Sequence, residues 1–148
     1  MKYKSLVVLL FFSQLLLAQN KAAGVKLISA TVQDWMTGAA PGRAGTTYTI
    51  KMQLLAAKGV VFKNLWIGNV HSDFEVQSFF TDPNKKPAKG DSVLLVHTKT
   101  SKPVSEVKEN IPAPMEYKGE ALLEYYVGGR PRYLVIKKFE KKKTIKGI

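Results

Sequence analysis

Beyond the first residues of the chain, strand signals recur at short spacing and no segment holds a helical period, which commits the chain to extended structure. The clearest stretch is 46–56, where Tyr48, Ile50, Met52 and Leu54 alternate with Thr47, Thr49, Lys51 and Gln53. Successive side chains of a strand point to opposite faces, so the apolar set is expected to be buried and Lys51 and Gln53 exposed. Residues 25–35 are rich in β-branched and apolar types, and residues 60–67 are apolar on both faces in places, as a central strand would be. Shorter strands are expected at 74–80 and 92–100.

The segments between these strands are punctuated by glycine and proline. Residues 37–45 carry Gly38, Pro41, Gly42 and Gly45, too dense a set of breakers for regular structure. Pro83 and Pro87 mark residues 81–90 as an exposed turn region. Pro103, Pro112 and Pro114 make residues 101–117 a long connection, with room for one helical turn at 105–109.

The last hairpin can be read in register. Gly128-Gly129 suits a two-residue turn in which both central positions need positive φ, and Arg130 before Pro131 is biased to extended backbone. With that turn Leu123 lies opposite Leu134 and Tyr125 opposite Arg132, whereas a four-residue loop would set Leu123 opposite Ile136. Either register puts Leu123, Leu134 and Ile136 on one core face, with Glu124 on the other and exposed. Tyr133 and Phe139 are expected to be buried.

The first residues are of another kind. A basic Met-Lys-Tyr-Lys start precedes an apolar run at 6–18 broken only by Ser13 and Gln14, the pattern of a removable export signal. The run is shorter than the roughly 20 residues that a bilayer-spanning helix needs. Cleavage is expected after Ala18 or, alternatively, after Ala22 or Ala23, leaving 19–148 as a single domain without a transmembrane segment. The chain has 0 cysteines, which rules out disulfide chemistry, cysteine-ligated zinc and an acylated-cysteine anchor. An exported, cysteine-free chain points to the periplasm or the cell exterior, and to an envelope or extracellular partner.

About seven short strands separated by turn signals indicate an all-β fold, an antiparallel β-sandwich. Residues 119–139, with their tyrosines, glycine turn and closing basic strand, resemble the last hairpin of an immunoglobulin-like or fibronectin-III-like domain. The resemblance implies an immunoglobulin-like fold; the Cys–Trp–Cys pattern of true immunoglobulin domains is missing, and a shared fold of this type carries no particular activity.

Candidate sites are few. The chain lacks a nucleophile elbow, a His-Glu-x-x-His motif and a phosphate-cradling glycine loop. No catalytic residue, metal or cofactor is assigned, and Asp34 and Asp91 have no feature that marks them as acid and base. His71, Asp73 and Glu75 stand two apart, so an extended segment would turn all three to one face, the starting point for a small metal-dependent hydrolase. Trp66 is expected in the core and Trp35 as a plug or edge cover, although an aromatic face could also stack on a sugar.

Charge is the strongest remaining signal. The chain has 23 Lys+Arg against 11 Asp+Glu, and without Lys2 and Lys4 the balance is 21 against 11. Arg130, Arg132, Lys137, Lys138, Lys141, Lys142 and Lys143 concentrate it near the C-terminus, where an anionic glycan, lipid or lipopolysaccharide would find it. The favoured reading of these lysines is solubility and protection of an edge strand in an exported, non-enzymatic binding or structural module, with polyanion binding as the alternative. Lys137 and Lys138 are expected on opposite faces, and the chain beyond Glu140 is expected to fray and leave its lysines solvated.

Overall fold

The computed structural model describes residues 24–38, 42–56, 59–78, 87–101 and 110–147; the expected export signal, its expected cleavage positions and the helical turn expected at 105–109 lie outside the described residues. The described residues contain ten strands and no helix. They are β1 (Val25–Met36), β2 (Ala44–Leu54), β3 (Val60–Ile67), β4 (Val70–Ser72), β5 (Glu75–Ser78), β6 (Ser92–Thr100), β7 (Ala121–Val127), β8 (Arg130–Ile136), β9 (Glu140–Lys141) and β10 (Ile145–Lys146). One sheet runs β10-β1-β2-β6-β5 with β9 also on β1, and the other runs β4-β3-β7-β8. The fold is all-β, with two sheets facing each other across one core.

That core follows from the alternation. Ile50, Met52, Leu54, Val93 and Leu95 project from the larger sheet against Leu65, Ala121, Leu123, Tyr125 and Ile136 from the smaller. Tyr48, expected among them, is half-buried at the core's margin, and so is Leu134. Lys51, Gln53 and Glu124, expected to be exposed, are half-buried. Neighbouring strands shade the polar face of an interior strand, so its side chains lose part of their solvent contact even where no second layer covers them.

The turn chemistry is the one that the sequence indicates. Gly128 and Gly129 both have positive φ, at 56° and 78°, and Leu123 pairs with Leu134 and Tyr125 with Arg132. Gly68 and Asn69 repeat the device between β3 and β4, with φ of 56° and 66°. Asparagine tolerates the left-handed region, so this hairpin too closes in two residues.

Trp66 is 2% exposed, but it belongs to the reverse face of the smaller sheet, away from the main core. Its indole N–H donates to the Ile111 carbonyl at 2.9 Å. The segment following residue 110 thus lies over Trp66 and its cross-strand partner Leu122, which is why β3 and β7 are apolar on both sides.

Both lateral openings of the sandwich are crossed by the chain. Ser72 and Glu75 belong to different sheets, so the crossing from β4 to β5 takes two residues. On the other side the chain leaves β8 at Ile136 and joins the larger sheet at Glu140. Here it does not fray. β9 and β10 pair in parallel with β1, Thr31 opposite Glu140 and Trp35 opposite Ile145. The Lys142 N–H donates to the Val32 carbonyl at 2.8 Å, and the Gly147 N–H to Met36 at 3.1 Å. An unpaired strand edge offers a row of donors and acceptors, and the tail satisfies that of β1.

Candidate functional site

The structure splits the predicted basic set in two. Arg130 and Arg132 stand at the β7–β8 turn, whose Gly128 N–H reaches the Gly59 carbonyl. Lys137 and Lys138 follow Ile136 at the opposite end of β8, about 23 Å away at 3.3 Å per residue. All of these side chains are exposed. Arg132 faces Tyr125, whose hydroxyl burial pushes up to about 12 against the opposing effect of the arginine's charge.

The lysine end gains members that sequence reasoning did not connect. Lys141 lies opposite Val32 and Lys146 opposite Met36, both on the second half of β1. Arg43 stands at the β1–β2 turn, where its N–H donates to the Thr37 hydroxyl at 2.8 Å. Lys99, on β6, is the cross-strand partner of Thr46. Lys142 and Lys143, between β9 and β10, add to the cationic charge of this end. The expectation of a frayed, unstructured lysine tail is therefore corrected: backbone pairing to β1 holds it in place.

The same end contains a groove of about 430 Å³. Strands β1, β2 and β6 continue past the smaller sheet here, leaving the inward side of their last residues uncovered. Asp34, Thr46 and Lys99 form one cross-strand row on that side, with Tyr48 a step deeper and Thr144 contributed by the tail. Tyr48 stands edge-on against Phe139, 5.1 Å between ring centres, closing the groove toward the core. The Thr46 hydroxyl donates to Asp34 Oδ1 at 2.8 Å and Lys141 Nζ lies 3.3 Å from Oδ2. That hydrogen bond, and then the lysine, hold the Asp34 carboxyl below its ordinary range. Lys99 has no ion pair among the described residues.

Trp35 is half-buried and covers the outer side of the same end. A Cβ at Gly45 would come within 2.5 Å of its ring, so the indole lies on the backbone of β2, an interior strand, rather than covering an edge, and it also lines the groove.

The His71 constellation does not assemble. His71 is on β4 in the smaller sheet and Glu75 on β5 in the larger, so the extended segment assumed for them is broken by the crossing. His71 Nε2 meets Asn64 Oδ1 at 3.0 Å, and its ring stands edge-on to Trp66. The Asn64 amide in turn donates to Glu124, which also accepts from the Tyr133 hydroxyl at 3.4 Å. This row crosses all four strands of the smaller sheet, and the amide separates the imidazole from the carboxylate. Tyr133, expected to be buried, is 38% exposed because β8 is an edge strand. Its hydroxyl is raised by partial burial and then by Glu124. Among the described residues no three acidic or histidine side chains could share a metal ion.

The chain matches no protein-family model, no curated protein and no solved structure.

Proposed function

We propose that this protein is an exported, non-enzymatic binding module of the immunoglobulin-like type, and that it meets an anionic polymer, an acidic glycan or lipopolysaccharide, at its lysine end. The observation that carries the reading is the parallel pairing of the tail with β1, which presents Lys141, Lys142, Lys143 and Lys146 from held backbone. Charges fixed on a scaffold sum into one field, whereas charges on a frayed tail are screened separately within about 8 Å.

The immunoglobulin-like type is supported by strand order. Taken in sequence, β1-β2-β6-β5 matches the A-B-E-D sheet of such domains, and β4-β3-β7-β8 matches C-F-G with one added strand beside C. Export is supported by the basic start and the apolar run at residues 6–18. The non-enzymatic reading is supported by the engagement of Glu124 and His71 in cross-strand bonds through Asn64.

Retention on immobilised heparin and on lipopolysaccharide tests the proposal. The triple variant Lys142→Ala, Lys143→Ala, Lys146→Ala should elute at clearly lower salt than the wild type. The double variant Arg130→Ala, Arg132→Ala should change elution less. Equal elution of the triple variant and the wild type would refute a site at this end.

A further inference from the structure

We infer that the groove bounded by Asp34, Thr46 and Lys99 takes one acidic sugar unit, a ring carrying both an anionic group and free hydroxyls. The inference rests on the anionic-polymer reading and names the part of the polymer that this end selects. Its basis is the mixed chemistry of the groove. Lys99 is an exposed ammonium on one wall, with no ion pair among the described residues. Asp34 on the other wall is a carboxylate with two oxygens, each able to accept more than one hydrogen bond. Thr46 uses part of one oxygen and Lys141 part of the other. Asp34 lines the groove and keeps acceptor capacity beyond these two contacts.

A polymer that offers only anionic oxygens would gain from Lys99 and be repelled by Asp34. A neutral sugar would gain from Asp34 and the threonine hydroxyls and leave Lys99 unused. A ring with hydroxyl donors and one anionic group uses both walls, its hydroxyls toward Asp34 and its charge toward Lys99. The groove's 430 Å³ lies in the range of small-ligand sites. The tail lysines outside it, Lys142 and Lys143, would attract the flanking units without selecting among them.

The experiment is calorimetric titration of the mature protein with three probes at one ionic strength: a galacturonate tetramer, polyphosphate of matched charge, and maltotetraose. The galacturonate tetramer should bind at least tenfold more tightly than either of the others. Lys99→Ala and Asp34→Ala, both at solvent-accessible positions, should each reduce that affinity at least fivefold, whereas polyphosphate affinity should fall in Lys99→Ala and hold or rise in Asp34→Ala. Polyphosphate binding as tightly as the tetramer, or an unchanged tetramer affinity in both variants, overturns the groove assignment and leaves the anionic-polymer reading standing. Maltotetraose binding as tightly as the tetramer overturns the need for an anionic group. Absence of binding by both anionic probes overturns both readings.

Discussion

The two lateral openings of the sandwich are crossed by the same kind of connection and end up differently. On the β8–β9 side Phe139 is 4% exposed, its ring set against Tyr48, and its N–H donates to the Glu120 carboxylate at 2.6 Å. The chain then continues as two short strands that pair with β1. On the β4–β5 side Phe74 is only partly buried against the core, and all four residues of β5 are exposed, with Val76 at 49%. One crossing is a plug followed by a cover; the other is a short edge. A crossing strand becomes structural when it supplies a large side chain to the core and then finds a partner for its own backbone. β5 pairs with β6 along its four residues but buries none of its own side chains, and its shortness limits its use as a template for association.

The largest effect that separates the two sides is loss of the plug. Phe139→Ala should destabilise the domain by about 3–5 kcal/mol, the range for a buried phenylalanine, while Phe74→Ala should cost about half as much. Urea unfolding of the two variants gives the difference directly. Equal losses would mean that the two crossings are closed to the same degree. Leu123→Ala, deep in the core, should fall at about 2–5 kcal/mol and calibrates the scale.

Removal of residues 140–148 isolates the cover from the plug. The variant loses the tail's backbone bonds to Val32 and Met36 and the Gln33 side-chain bond to the Lys143 carbonyl, but keeps Phe139. Exposed hydrogen bonds are individually modest, so a stability loss of about 1–2 kcal/mol is expected. The more telling outcome is association: the bared edge of β1 should make the variant dimerise or aggregate with rising concentration, read by sedimentation. A monomeric variant of undiminished stability would mean that the tail merely rests on β1. On the other side Val76→Lys should change stability by no more than about 0.5 kcal/mol, since half of the side chain is already in water.

This asymmetry also marks the limit of what the sequence discloses. The strands at 60–67 and 92–100 and the final hairpin are legible because alternation and turn chemistry are local properties of the chain. The tail is not. Glu140-Lys141 and Ile145-Lys146 are two-residue strands with no period of their own, and their pairing is decided by the register of β1, more than 100 residues earlier. Trp66 is readable as buried, but its cover is a segment without periodicity, attached by the indole bond and by the Tyr117 hydroxyl, which accepts from the Asn69 N–H. The groove is hidden for the same reason. Asp34, Thr46, Lys99 and Lys141 become neighbours through four strands, and no spacing along the chain marks them as a set. The cationic residues were visible as a composition; their division between two ends of β8 was not.

The smallest effect concerns how the cover is held, and it is a matter of pH. Asp34 has its carboxyl lowered by the Thr46 hydroxyl first and the Lys141 ammonium second. A carboxyl whose folded pKa lies below its unfolded value of about 3.9 stabilises the fold above that value and loses the contribution as pH falls through the folded pKa. Wild-type stability minus that of Asp34→Asn should therefore be level above about pH 5 and shrink as acid protonates the wild-type carboxylate. Side chains here are well solvated, so the lysine's share should fade in high salt while the hydroxyl's share persists. Thr46→Val should thus reduce the acid sensitivity more than Lys141→Ala does, and the gap between them should widen as salt is added. The reverse order would mean that the tail is fastened to β1 chiefly by charge, and the closed side of the sandwich would then open at high ionic strength.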